Sequence, residues 1–263
     1  AVDTFPMAES IDDSNIALLL PGSSIKGALR TRAEKIMRTL LDLNPIGDFN
    51  EQVKVPVVDV LFGSAKTKND EKASSNNAGQ SVAFFTDCYS TNTINQSNWD
   101  AIIKESDEFD LNAIINPTDE SDLNENLKDI KNIKFQESYH VAIDRWTNAV
   151  LDGALYTVLE PHKVEWEPIE IILDFSRIKD VDTDKYKCLL LLVMRDFSRG
   201  DIPLGFSVNR GMGEVEVDNI TIYGGNLNGI TIKNGEISPE DSLIDLQDKW
   251  SSFLTKKGVT ANG

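Results

Sequence analysis

Leu20-Pro21-Gly22-Ser23-Ser24-Ile25-Lys26-Gly27-Ala28-Leu29-Arg30 is the stretch on which the reading of this chain turns. After the Pro-Gly pair, apolar residues recur at Ile25, Leu29, Ala33, Ile36 and Leu40, a spacing of three to four that predicts an amphipathic helix. Ser23 or Ser24 is its natural N-cap. A glycine turn opening a helix leaves several backbone N–H groups unpaired and aimed at one point, which makes an anion site. Lys26 and Arg30, one turn apart, share a face and can reach the same phosphate or the next one. The string is not a Walker A loop: Gly22 and Gly27 have the right separation, but Ala28 stands where the lysine belongs. The plain alternative is a capped helix with a solvated basic face.

Charge singles this helix out. The 263 residues carry 43 Asp and Glu against 26 Lys and Arg, a formal net charge of -17. Such a molecule repels nucleic acid and acidic membranes as a whole, so a polyanion partner requires a local basic patch. Between residues 20 and 40 the bases Lys26, Arg30, Arg32, Lys35 and Arg38 face Glu34 alone. With 40% hydrophobic residues the chain can bury one sizeable core or two small ones, and no apolar run approaches the length that spans a bilayer. The first residues show no secretory signal. Two cysteines a hundred residues apart, with two histidines, argue against a disulfide framework or a zinc site and for a reducing cytoplasm.

Outward from the helix, residues 64–81 are nearly all small or polar and read as a flexible loop. Val82 to Cys88 is strand-like. Residues 91–137 then read as an acidic insertion, carrying one or two short surface helices or a partly ordered arm; from Trp99 to Glu137 there are eleven Asp or Glu and four Lys. Val164 to Phe175 has strand character, and Tyr186, Leu189, Leu190, Val193 and Phe197 mark a second helix, ended by a turn at Ser198 to Asp201. A glycine-bearing loop, Leu204 to Gly213, leads into alternating Val215, Val217, Ile220 and Ile222, read as a strand or hairpin. A further hairpin over Asn226 to Gly235 and a helix over Leu243 to Leu254 complete an α+β order, with helices on one face of an antiparallel sheet.

Two other clusters carry chemistry. Arg145, Trp146 and Thr147, in the stretch from His140 to Thr147, combine a forked donor, an aromatic plane and a hydroxyl, which suits phosphate contact and base stacking; a buried strand pair with Trp146 in the core is the alternative. In Asn209-Arg210-Gly211-Met212-Gly213, small residues admit close backbone approach and Arg210 offers a guanidinium. Composition alone selects no carboxylate as catalytic.

Taken in order, Leu20 to Arg30, Leu61-Phe62-Gly63, Ala142 to Arg145 with Asp152 to Leu155, and Arg210-Gly211-Met212-Gly213 resemble the RAMP superfamily of CRISPR proteins, above all the backbone subunits of type III effector complexes. The resemblance covers most of residues 1–64, 82–90 and 139–223. It implies one RAMP domain over 1–263, with a ferredoxin-like, RRM-related antiparallel sheet, helices on one face, a thumb hairpin and a large polar insertion. It implies that Ser23, Ser24, Lys26 and Arg30 grip the phosphates of a guide CRISPR RNA. Arg145, Trp146 and Thr147 belong to the thumb that kinks the guide–target duplex, and Arg210, Gly211 and Gly213 complete the RNA surface. Other RAMP subunits and target RNA are the implied partners. In members that cut target RNA an Asp sits before the helix, and Asp3 is the residue here that resembles it. It would place a divalent metal, Mg²⁺, for attack of a ribose 2′-hydroxyl on its own phosphate. A binding-only subunit and a guide-processing endonuclease using His140 are the alternatives. Family members begin with a strand before this Asp, so the sequence reads as a segment of a longer or fused chain.

Overall fold

The computed structural model describes residues 2–43, 55–64, 81–105, 133–177 and 182–256. In chain order its elements are β1 (Ala8–Ser10), β2 (Asn15–Leu20), α1 (Gly22–Leu40), α2 (Val58–Phe62), β3 (Ala83–Phe85), β4 (Cys88–Asn95), α3 (Gln96–Glu105), β5 (Lys134–Ile143), β6 (Val150–His162), β7 (Ile171–Leu173), α4 (Asp184–Ser198), β8 (Ile220–Thr221), β9 (Thr231–Lys233), β10 (Glu236–Ser238) and α5 (Ile244–Lys256). All ladders between these strands are antiparallel, as the α+β expectation requires. The strands form several small sheets instead of one continuous one. The chain divides into two compact units: Ala1–Pro21 with Asp87–Ile169, and Gly22–Thr86 with Glu170–Gly263.

In the first unit β2 is central, flanked by β1 and β4, with Glu9 opposite Ala17 and Ile16 opposite Ile94. The register slips between Ala17 and Leu19, and there the buried Ser90 hydroxyl accepts the Leu18 N–H at 3.0 Å, so the irregularity leaves no orphan donor. Ile16, Leu18, Ile94, Trp99, Ile102, Ile133, Phe135 and Leu159 form the core, joined by Val2. This revises the acidic insertion assigned to 91–137. Its first part is the end of β4 and all of α3, its last part the start of β5, and both ends are core. Among its described residues Ile94, Trp99, Ile102, Ile133 and Phe135 are buried, while Asp100, Ile103, Lys104 and Lys134 are exposed. Residues 106–132, like the flexible loop assigned to 65–80, lie outside the described residues.

In the second unit α1 buries Ile25, Leu29, Ala33 and Met37, a strict four-residue stripe. Ile36 and Leu40, expected in that stripe, are only partly covered. α4 buries Leu189, Val193 and Phe197, and Arg32 of α1 reaches the buried Asp196 of α4 at 2.7 Å. β3 pairs with β7, and Phe62 of α2 stacks against Phe85. The strand expected around Val164 to Phe175 shrinks to Ile171–Leu173 plus a single bridge at Trp166. The hairpin expected over Asn226 to Gly235 is instead β9–β10, turned by Asn234-Gly235 with φ of 51° and 82°, the left-handed pair that a two-residue turn needs.

Candidate functional site

The start of α1 is set by a glycine. A Cβ at Gly22 would lie 2.5 Å from the Phe85 carbonyl oxygen and 2.8 Å from that of Thr86, so only glycine lets the helix begin against this strand end. The helix therefore opens at Gly22, and Ser23 and Ser24, expected as caps, stand exposed in its first turn. Among the described residues neither serine hydroxyl has a hydrogen-bond partner, and the Lys26 ammonium has no ion-pair partner. Partial burial, then the Arg30 charge, holds Lys26 below its ordinary value. No acidic residue occupies the first turn. The start of a helix dipole, two hydroxyls and a cation crowded by another cation form a site that gains from an anion.

Arg30 lies differently. Its guanidinium donates to Glu34 at 2.8 Å, to Asp59 at 2.9 Å and to the Gly63 carbonyl. Burial raises Asp59 although Arg30 pulls it down. Arg30 thus ties α1 to α2 and to the Leu61-Phe62-Gly63 string, which explains why those two motifs belong together.

In the first unit, β5 and β6 make a long hairpin whose base is core and whose outer half stands in solvent. Val141 pairs with Leu155 and Ile143 with Val150, and all four are exposed. The tip is built by Asp144, which accepts the Trp146 N–H at 2.9 Å and the Thr147 hydroxyl at 3.0 Å, with Asn148 in the left-handed region at φ 52°. These bonds, the Trp146 one first, hold Asp144 below the usual carboxylate value. Trp146 is 94% exposed, which removes the buried-strand alternative. Arg145 is exposed beside it.

Asp3 sits at the hairpin's base. Its Oδ2 accepts the Thr157 N–H at 2.8 Å while its own N–H donates to the Thr157 carbonyl at 3.0 Å, a reciprocal clasp on β6. His140 is turned inward on the same hairpin: its ring packs on Tyr156, and Nε2, 3.6 Å from Glu160, is buried without a hydrogen bond.

The loop of Arg210, in the second unit, is a single tight turn over Val208–Arg210, with Gly211 at φ 83° and Gly213 at φ 81°. A Cβ at Gly213 would strike the Leu204 carbonyl at 2.1 Å, so this glycine closes the loop on itself. Arg210 is exposed. So is Phe206, at 61%, which the sequence reading passed over; an aromatic isolated between glycine and serine, outside any apolar period, was the available signal.

A family model described as "RAMPs: RAMP superfamily" matches residues 9–216. The chain belongs to the RAMP superfamily. No curated protein sequence matches it. Among solved structures it is similar to a chain of "Type III-B Cmr-beta Cryo-EM structure of the Apo state", at 12% identity and a TM-score of 0.38, covering 82% of this chain and 88% of that one. The RAMP match takes in Gly22 to Arg30, Asp144 to Thr147 and Arg210 to Gly213, and begins after Asp3. Among the described residues no three His, Cys, Asp or Glu side chains converge as a metal site. Mg²⁺ keeps its waters and accepts one carboxylate together with substrate phosphates, so Asp3 fits it only in company with RNA. No described helix is long and apolar enough to cross a membrane.

Proposed function

We propose that this RAMP protein is a guide-RNA-binding backbone subunit of a type III CRISPR effector complex, acting beside other RAMP subunits in the cytoplasm. The observation that carries the reading is the hairpin tip: a tryptophan 94% exposed and an adjacent exposed arginine, presented on a turn fixed by Asp144, has no use in a core and suits insertion at a base step. Ser23, Ser24, Lys26 and the N–H groups of the first turn of α1 bind guide phosphates. Arg210 adds a cation, and Gly211 and Gly213 shape its loop. Arg30 acts through α1, as a positioning residue.

The same subunit cleaves target RNA in this reading. Asp3 orients the ribose 2′-hydroxyl and accepts its proton as the 2′-oxygen bonds to phosphorus and the P–O5′ bond breaks, leaving a 2′,3′-cyclic phosphate and a 5′-hydroxyl protonated from water; Asp3 together with RNA phosphates would hold a divalent cation, which would supply charge stabilisation. Asp3→Asn tests this cleanly, because the amide oxygen still accepts the Thr157 N–H. The expected result is an assembled complex with full guide content and target cleavage in Mg²⁺ reduced by about 10²-fold or more; unchanged cutting removes Asp3 from the chemistry. The alternative reading is a binding-only subunit, for which neither the native protein nor the variant cuts. Nucleotide absorbance of purified protein tests the RNA reading itself, with an RNA of uniform length expected.

A further inference from the structure

The glycine-bearing loop of the second unit is closed at its root. The Leu204 N–H donates to the Gly213 carbonyl at 2.9 Å, and Ile202 and Leu204 are buried. Asp201, at the head of the loop, lies 3.9 Å from Arg32 of α1, so the root stands beside the helix whose first turn forms the anion site. Farther along, the Arg210 N–H donates to the Ser207 carbonyl at 2.8 Å and the Gly211 N–H to that of Val208 at 3.2 Å. Phe206 sits between two residues of positive φ, Gly205 at 101° and Ser207 at 55°. Glycine takes such a conformation freely, whereas a serine held there is strained. The strained turn buries nothing: the Phe206 ring is 61% exposed, and among the described residues it meets no other ring and no cation. Every bond and turn in this description lies within the loop or between it and α1.

We propose that Phe206 is a stacking platform for one unpaired base of the bound RNA strand, with Arg210 on the backbone of the same nucleotide. This rests on the RNA reading above and extends it from phosphates to a base. Charge selects the occupant: in residues 202–213 Arg210 is the one charged side chain, and it is exposed. Its guanidinium suits a phosphate oxygen. Shape selects it too. A Cβ at Gly205 or at Gly211 would meet nothing within 4 Å, so a flat group can approach the loop without striking a side chain there. A protein partner calls for a contiguous apolar patch, and besides Phe206 the loop exposes only Val208, at 38%. Stacking uses the π-face that every base has, so the contact positions a nucleotide without choosing its sequence.

The probes are a fluorescein-labelled oligoadenylate and an abasic strand of the same length and charge, titrated by anisotropy against RNA-free protein. Phe206→Ala is expected to weaken oligoadenylate binding at least about fivefold and to leave abasic binding and the urea midpoint unchanged, and Phe206→Trp is expected to restore the affinity. With 2-aminopurine in the strand, the native protein should quench its fluorescence more than Phe206→Ala does at saturation. Equal weakening of both strands overturns the proposal, since it reports a loop that has lost its shape. Unchanged oligoadenylate binding by Phe206→Ala, where Lys26→Ala still weakens it, overturns the proposal and leaves the RNA reading standing. Native protein that binds neither strand overturns both. Loss of self-association or of subunit assembly in Phe206→Ala, with RNA affinity intact, gives the ring to a protein neighbour and also overturns it.

Discussion

Trp146 is presented to solvent on a turn in which its N–H and the Thr147 hydroxyl both donate to Asp144, so its removal separates function from stability. Trp146→Ala is expected to leave urea unfolding within about 0.5 kcal/mol of the parent while weakening single-stranded RNA binding by about 1–3 kcal/mol, read by anisotropy. Gly22 predicts the opposite pattern. Gly22→Ala drives a methyl into the Phe85 and Thr86 carbonyls and should cost about 1–3 kcal/mol in urea unfolding. The residues legible in the sequence were those whose chemistry is local. Lys26 is where the pattern placed it and the two serines, expected as caps, lie just inside the first turn, whereas the partners of Arg30, at Asp59 and Gly63, come from a segment more than twenty-five positions away and no local period reports them.

At the scale of elements, the tie between α1 and α4 sets a pH limb. Burial pushes Asp196 up, but hydrogen bonds from Arg32 and Arg195 and their charges outweigh it, leaving it below 3.8. A carboxylate lowered in the folded state adds stability that is complete above its ordinary value of 3.8 and is lost as pH falls through the lower folded value. Arg32→Ala should therefore cost about 1.5–3 kcal/mol near neutral pH, and the difference from the parent should shrink below about pH 4 in urea titrations. α1, α4 and α5 were readable because their apolar periods are long and unbroken. The strands expected in Val82–Cys88, Val164–Phe175 and Val215–Ile222 are there as β3, β7 and β8, but at two or three residues each they are too short for alternation to give their bounds, and α3 hides among acidic residues, anchored by Trp99 and Ile102.

For the whole molecule, a net charge of -17 coexists with a basic helix, so the proposed RNA binding is expected to be local and strongly dependent on salt. The slope of log K against log salt for single-stranded RNA should follow about -0.7 per phosphate engaged, and Lys26→Ala should flatten it by about one unit without changing sequence preference. The two cysteines offer an independent check of packing. Burial pushes the Cys88 thiol up to about 11 and that of Cys188 to about 12, so neither should react with a thiol reagent until the chain unfolds.

The sequence by itself determined the α+β class, the positions of the three longest isolated helical periods and the basic helix start, because periodicity, charge sign and turn chemistry act over a few neighbouring residues. Only the tertiary structure decided that Gly22 is fixed by a strand end, that Arg30 is spent on α2, that Asp3 clasps β6 and that Trp146 stands in solvent. Each of these depends on which distant backbone comes to lie beside a residue, and that is settled by how the helices and strands bury their apolar faces together.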